Sequence, residues 1–556
     1  MIGITKECYV SPTVLVDGGP HRFSRQVERL LGQLGFTDVV NIDGSGDMGG
    51  DLMALLHGQT WVLQCKWQAR GSVPRAGVNE VNEAISHYLA DRAAVVTNVR
   101  PGPDALRRAR ELMRIGRDIR FWTGADLVDL WDTASDPQPL RLHSYQAEAV
   151  DRILANLDER GRALLVLATG LGKTIIGGDV IARRLAARPG LNVLVVAHTK
   201  ELVNQLERAL WRHLPKETKT QVLTGDDKPR DLSGITCATV ASVLTAVLGG
   251  YRPGLVMVDE THHVAEEGQY DQLLTELVEA EQFGVTATPW RGDKYDIERR
   301  FGATGFKLGI EEGMRRGYLA QVDYRLFVDN LNWDVVKEAS RRSYSIKELN
   351  SKLFLPQRDE AVRDELAVAW SATVKPRGIV FCQTVEHAER MAALLRRSPQ
   401  WSRTCAIHAD MRKRERQLRL LDFRAGRVPL LTAVDILNEG VDVPDVNIIC
   451  FARVTHSRRI FVQQLGRGLR VRDGKEKVVA LDFVSDLRRV AALLSIRRTL
   501  DADEVETLAD VSQPSITFND LRAESLLEQW ILDAADLETS NEETRLQFLD
   551  PDGQLS

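Results

Sequence analysis

No apolar run in the 556-residue chain reaches the ~18 residues that cross a bilayer, so a membrane is not an expected partner. The N-terminus has no basic flank followed by an apolar core, and a secretory signal is not expected. Six cysteines are present, at positions 8, 65, 237, 382, 405 and 450, and none forms a CxxC pair. A zinc site is therefore not expected; buried free thiols in a reducing cytoplasm are. Short internal repeats and low-complexity tracts are also missing. No methyltransferase or sequence-specificity domain is visible, so any such function is expected to lie in a partner or to be absent.

What is present is too long for one core, and three or four domains are expected. The net charge of -5 hides an asymmetry. Residues 501–556 carry 15 acids and 2 bases, which leaves about +8 for residues 1–500. A mildly basic body suits a nucleic-acid partner.

Residues 1–135 read as one α/β domain with a mixed sheet. "RFSRQVERLLGQLGF" places Phe23, Val27, Leu30, Leu31 and Leu34 at helical spacing. "GDMGGDLMALLHGQTWVLQCKW" (46–67) reads as two strands around a His57-Gly58 turn. "AAVVTN" (93–98) and "IRFWTG" read as strands, "DALRRARELM" and "ADLVDLW" as helices. "TASDPQPLR" (133–141) is a polar, proline-bearing linker. Residues 140–315 and 318–500 each alternate short apolar strands with helices. Strands apolar throughout imply parallel sheets buried on both faces. In the acidic segment 501–556, Ala523, Leu527, Trp530, Ile531 and Ala534 share a helical face, predicting a docked helix. Its acidity marks a solvated face, a partner's docking element or a mimic of DNA.

"LLVLATGLGKT" (164–174) is an apolar strand, a Gly-rich turn and a helix start. Gly170 and Gly172 let backbone N–H groups close around phosphate, and Lys173 can reach the β and γ phosphates of ATP. The Thr174 hydroxyl can ligate Mg²⁺. "LVMVDETHH" (255–263) supplies Asp259 as a second metal contact and Glu260 to polarise the attacking water. Thr199, Lys200 and Thr239 follow strand ends, where loops meet a ligand. Their hydroxyls and ammonium suit nucleic-acid phosphates, although ordinary loop polarity explains each residue singly.

Near the front, Asp51 opens one strand of a hairpin, and Gln64 and Lys66 sit two apart on the other. They share a face, whereas Cys65 points into the core. An acid and a lysine thus converge where phosphodiester hydrolysis needs a bound divalent ion and a cation near water.

The motifs "ATGLGKT", "AHTKEL", "DETHH", "TATP" (286–289), "IVFC", "IHADMRKRER", "TAVDILNEGVDVPDV" and "QQLGRGLR" (463–470) occur in order over residues 140–485. This stretch resembles the superfamily 2 helicases, closest to the branch of restriction-enzyme motor subunits and DEAD/DEAH-like repair helicases. The resemblance implies two RecA-like lobes with ATP between them and 3′→5′ translocation on DNA. Gln463 would line the cleft, and Arg467 and Arg470 would act as arginine fingers. Thr286 and Thr288 would link the cleft to the strand-binding face. Gln146 of "LHSYQ" (142–146) would read the adenine edge, with His143 where the branch usually has arginine.

Residues 18–132 resemble the PD-(D/E)xK nucleases in their Mrr-like variant, with Gln64 in a QxK motif. The resemblance implies Asp51 as metal ligand and Gln64 and Lys66 as catalytic residues. Ser24 stands where the family often has an acid after Phe23. Glu28, one turn later on the helix, would compensate, and Asp47 is another candidate ligand. The expected whole is α/β: a restriction-endonuclease-like domain (1–135), two RecA-like lobes (140–315 and 318–500) and an acidic helical tail (501–556). The expected function is an ATP- and Mg²⁺-dependent DNA translocase fused to an endonuclease, in restriction or anti-phage defence. The motor would track one strand of double-stranded DNA. The alternatives are a repair or replication-restart helicase whose nuclease-like domain only binds DNA, and an adaptor that recruits proteins to the motor.

Overall fold

The computed structural model describes residues 10–17, 19–42, 50–229, 231–265, 268–287, 297–327, 344–345, 359–434, 446–452, 477–483, 515–518 and 545–546. Phe23, Val27, Leu30 and Leu31 are all buried on one face of α1 (Gly19–Gln33). That face packs on a five-stranded sheet of β1 (Thr37–Asn41), β2 (Leu52–Leu56), β3 (Gln59–Lys66), β4 (Arg92–Thr97) and β5 (Ile119–Trp122), in that spatial order. The β1–β2 and β2–β3 pairs are antiparallel; β3–β4 and β4–β5 are parallel. The hairpin turn has φ 49° at His57 and 78° at Gly58, the left-handed pair that suits a two-residue connection. On the opposite face lie α2 (Arg75–Tyr88) and α3 (Pro103–Met113), while α4 (Gly124–Thr133) packs beside α1.

The second sheet comes from β6 (Arg162–Leu167), β7 (Val193–Ala197), β8 (Thr220–Leu223), β9 (Ile235–Thr239), β10 (Leu255–Asp259), β11 (Glu281–Thr286) and β12 (Thr304–Leu308). Its order is β8-β9-β7-β10-β11-β6-β12, and every pair is parallel. Apolar strands such as "VLVVA" are buried end to end because helices cover both faces. They include α5 (Ser144–Arg160), α6 (Lys173–Ala187), α7 (Lys200–Leu210) and α8 (Val240–Leu248).

The third sheet uses β13 (Gln321–Phe327), β14 (Gly378–Phe381), β15 (Cys405–Ile407), β16 (Leu430–Ala433), β17 (Ile448–Phe451), β18 (Lys477–Phe483) and β19 (Ser515–Phe518). The order is β15-β16-β14-β17-β18-β13-β19, again all parallel. Its edge strand β19 comes from the segment expected to be a helical tail, so this sheet continues past residue 500. The predicted helix around Trp530 lies outside the described residues. Helix α9 (Lys413–Arg424) follows β15.

The N-terminal domain is keyed into the second sheet's layer by charge. Arg25 on α1 donates to Glu207 at 2.6 Å and to Asn204 at 2.7 Å, both on α7. Glu28 pairs with Arg208 at 2.8 Å. Arg29 donates to the carbonyls of Thr218 and Pro215 and lies against the indoles of Trp131 and Trp211. Lys216 returns the contact, donating to the carbonyls of Trp131, Asp132 and Ala134 at the end of α4. A buried charge is tolerated only with such partners, so these groups fix one docking geometry.

Candidate nucleotide and nuclease sites

The strands of the second sheet are parallel, so their C-terminal ends share one edge, where ligands bind in open α/β sheets. Strand β6 ends there in the Gly-rich turn. Gly170 and Gly172 have φ 95° and 87°, and α6 begins directly at Lys173. A methyl group at position 172 would stand 2.6 Å from Gln146 Nε2, so only glycine leaves the cradle open. The Thr169 hydroxyl is buried in the same turn with no hydrogen-bond partner among the described residues. An anion seated on the N-terminus of α6 would fit this cradle.

Lys173 Nζ donates to Glu260 Oε1 at 2.8 Å. Glu260 follows β10 with φ 49°, a left-handed conformation that is strained for a residue with a side chain. Beside it, burial and the Glu260 charge push Asp259 up to about 6, and Lys173 pulls it the other way. An added cation would relieve that carboxylate. Asp259 and the Thr174 hydroxyl are hard oxygen donors of the kind Mg²⁺ prefers, so the residues fit a divalent ion.

Gln146 is buried, but both ends of its amide are engaged. Oε1 accepts from the His143 backbone at 2.9 Å and Nε2 donates to the Leu171 carbonyl at 3.1 Å. In this structure it braces the phosphate turn rather than presenting a free edge to a base. Tyr145 joins it at the Leu171 carbonyl, at 2.8 Å, and burial raises its phenol to about 12. Tyr318 packs against Tyr145 with the rings tilted at 45° and their centres 4.3 Å apart, and sequence reasoning missed it. It belongs to no motif. Gln463, Arg467, Arg470 and Thr288 lie outside the described residues. Thr286 is fully buried at the end of β11.

Thr199 stands past β7 and Thr239 is the last residue of β9, adjacent strands whose ends align at Ala197 and Thr239. Thr199, Lys200 and Thr239 therefore lie along one edge of the sheet. Their polar atoms have internal partners, however. The Thr199 hydroxyl caps α7 by accepting from Leu202 N, Thr239 donates to Ser242, and Lys200 pairs with Asp226 at 2.7 Å.

In the N-terminal domain, Asp51 and Gln64 come together, and Lys66 follows two residues after Gln64 on β3. Asp51 Oδ2 accepts from Gln64 Nε2 at 2.9 Å and from Cys65 N at 2.6 Å. Strand alternation puts Gln64 and Lys66 on the α2 face, and Cys65 packs on the α1 side. Lys66 Nζ meets Glu80 of α2 at 2.5 Å. Glu80 was missed because α2 itself was not read from the sequence. Gln64 Oε1 is buried with no partner among the described residues. An orphaned amide oxygen beside a buried carboxylate fits a metal ion or its water. Glu28 requires a correction. Both its oxygens are committed, one to Asn41 and one to Arg208, so it serves the docking surface instead of replacing the acid missing at Ser24. Asp47 lies outside the described residues.

Residues 17–131 match the family described as "Restriction endonuclease" of the Mrr catalytic type. Residues 139–291 match "Type III restriction enzyme, res subunit", and residues 357–472 match "Helicase conserved C-terminal domain". The chain joins an Mrr-type endonuclease domain to a superfamily 2 helicase core. The chain is 30% identical over 404 residues to the "Putative mitochondrial ATP-dependent helicase irc3" of Schizosaccharomyces pombe, covering 68% of this chain and 63% of that protein. It is 25% identical over 387 residues to the EcoAI type I restriction enzyme endonuclease subunit of Escherichia coli, covering 64% and 47%. A match to the DNA 3′-5′ translocase XPB2 of Sulfurisphaera tokodaii is 26% identical and covers 66% of this chain and 88% of that one. The chain therefore spans less than two thirds of irc3 and of the EcoAI subunit. Among solved structures, the type ISP restriction-modification enzyme LlaBIII bound to DNA aligns over 95% of this chain and 43% of its own. Its TM-score is 0.53 at 15% identity, a likeness of fold. Among the described residues, no helix is long and apolar enough to cross a membrane.

Proposed function

We propose that the chain is an ATP-driven DNA translocase coupled to a divalent-metal-dependent DNA endonuclease, acting in restriction or anti-phage defence in the cytoplasm. The observation that carries it is the bond between Asp51 and Gln64, on the strand that also bears Lys66, in a domain keyed by Arg25 to the lobe holding Lys173 and Glu260. Proposed boundaries are 1–135 for the nuclease, 140–315 for the first lobe, 318–500 for the second lobe, whose sheet also takes β19, and the rest of 501–556 for the tail.

In the motor, Gly170, Gly172 and Lys173 would cradle phosphates, and Thr174 and Asp259 would hold Mg²⁺. ATP supplies the free energy for movement, and Mg²⁺ neutralises charge on its phosphates. Glu260 would exchange Lys173 for water and orient it. Gln463 would line the cleft, and Arg467 and Arg470 would complete the site from the second lobe, tying hydrolysis to closure. Gln146 would reach an adenine edge only by releasing Leu171. Thr199, Lys200 and Thr239 would line the DNA track. In the nuclease, Asp51 would ligate Mg²⁺, Gln64 Oε1 would complete the ligand set, and Lys66 would orient water or offset phosphorane charge. The tail is a proposed docking element for a protein partner. Deleting residues 505–556 with no change in activity, solubility or association would remove that idea.

A second reading has one observation in its favour. Gln64 donates into Asp51 where the family usually has a second carboxylate, which suits a repair helicase whose nuclease-like domain grips DNA without cutting it. Supercoiled and linear DNA incubated with Mg²⁺, with and without ATP, separates the two. Cutting that Lys66→Ala abolishes supports the nuclease; DNA-stimulated ATP hydrolysis without any cutting supports the second reading.

A further inference from the structure

The nuclease domain touches both lobes, through contacts of opposite chemistry. Toward the first lobe it is held by directional, buried hydrogen bonds from Arg25 and Arg29. Toward the second lobe the contact is apolar. Helix α9 carries two apolar pairs at helical spacing. Leu420 and Phe423 enter the helicase core, whereas Leu421, only 1% exposed, and Leu418 enter the nuclease cluster of Val40, Ile42, Met53 and Val62. The helix lies against β1. It also meets α7 of the first lobe through Arg416 and Glu201, at 3.8 Å.

The cluster that receives Leu421 is one step from the nuclease carboxylate. Ile42 N donates to the Asp51 carbonyl at 2.8 Å. Gly50, which precedes Asp51, is so close to Ile42 that a methyl group there would stand 3.1 Å from Ile42 Cδ1. Asp51, Gln64 and Lys66 occupy the sheet face that α9 approaches. We propose that the second helicase lobe sets the position of Asp51 through Leu421, Leu418 and Ile42, which makes these three positioning residues for DNA cleavage.

The physical reason lies in how the two contacts respond to movement. If the lobes shift on ATP binding, a domain touching both must shear along one contact. Hydrogen-bonded buried charges resist displacement, so the shift falls on the apolar α9 contact, whose close-packed side chains pass it on by switching between discrete arrangements. Ile42 then moves with its cluster, and Asp51 follows through the backbone bond. A displacement of about 1 Å at a reacting group costs roughly 100-fold in rate. The nuclease would thereby respond to the state of the motor without a nucleotide of its own. This coupling rests on the nuclease reading for its consequence, but not for its detection.

The test uses the full chain. Hydrogen exchange across residues 40–55 is measured with and without a non-hydrolysable ATP analogue, alongside DNA cleavage and ATP hydrolysis. The wild type is expected to change its exchange at Ile42 on adding the analogue. Leu421→Ala is expected to lose that change and to cut about 10- to 100-fold more slowly, with DNA-stimulated ATP hydrolysis within about twofold of wild type. Leu421→Met should restore both. Leu418→Ala, at a half-buried position, gives a milder version should Leu421→Ala fold poorly. Exchange at 40–55 that ignores the analogue, while residues 169–175 become protected, overturns the coupling. So does wild-type cutting by Leu421→Ala. A wild type that cuts no substrate removes the nuclease reading, and the exchange result alone then decides the coupling.

Discussion

Lys173 and Glu260 close an ion pair of 2.8 Å across the end of the sheet, spanning β11, which lies between their strands. Each is the other's partner while no nucleotide separates them. The pair sits at 13% and 15% side-chain exposure, so neither charge is well solvated.

Lys173→Ala is therefore expected to cost both phosphate binding and the restraint on Glu260. Turnover should fall by about 10³-fold or more, the scale for losing a group that stabilises transferred phosphoryl charge. Glu260→Gln should hydrolyse as poorly yet still bind nucleotide. DNA-stimulated phosphate release checks the first expectation, and fluorescent nucleotide binding the second. Retained hydrolysis in either purified variant removes the site assignment.

Gly172→Ala is expected to weaken nucleotide binding by about tenfold or more. The added methyl meets Gln146 Nε2 at 2.6 Å, and the residue must hold φ 87°. Left-handed backbone alone costs a side chain ~1–2 kcal/mol, close to a factor of 10. Nucleotide titration of wild type and variant reads this directly.

Lys66→Ala should abolish DNA cutting, by about 10²–10³-fold, while leaving ATP hydrolysis intact. Glu80→Gln is the informative companion. It frees Lys66 from its 2.5 Å partner, so a change in the pH profile of cutting would place Glu80 in the site. An unchanged profile would make it a surface contact. Chelating divalent ions with EDTA should stop both activities, and Mg²⁺ should restore them.

Much of this was legible in the sequence because its signals are local. The Gly-rich turn, the DE pair and the His57-Gly58 hairpin each lie within a dozen residues and need no distant partner to be recognised. Strands such as "NVLVVA" announce themselves by composition. What stayed hidden is what long-range packing decides. Glu80 approaches Lys66 only because α2 lies on β3. Glu28 belongs to Arg208, 180 residues away, and no spacing rule connects them. Gln146 looked free to read a base because its Leu171 acceptor lies in another motif. The short strand β19 lacks a periodic flank and was absorbed into an apparent helical tail.

Arg25→Ala should destabilise the chain by about 3–5 kcal/mol, since it leaves Glu207 buried at 0% exposure without its guanidinium. Replacing both residues with methionine should recover most of the loss. Thermal unfolding followed by tryptophan fluorescence would report both, as Trp131 and Trp211 sit at this junction. A single variant as stable as wild type would show that the Thr220 hydroxyl, which donates to Glu207 at 3.0 Å, and water suffice for that carboxylate.

The cradle of Arg29 between Trp131 and Trp211 bears on the order in which the chain is made. The nuclease half leaves the ribosome first, with Trp131 already beside Arg29 and Trp211 still untranslated. Until the next lobe arrives, the guanidinium has one indole and neither of its carbonyl acceptors at Thr218 and Pro215. A product truncated in the linker would keep that half-finished state permanently. The N-terminal domain thus gains its full set of contacts only once the next lobe has been made.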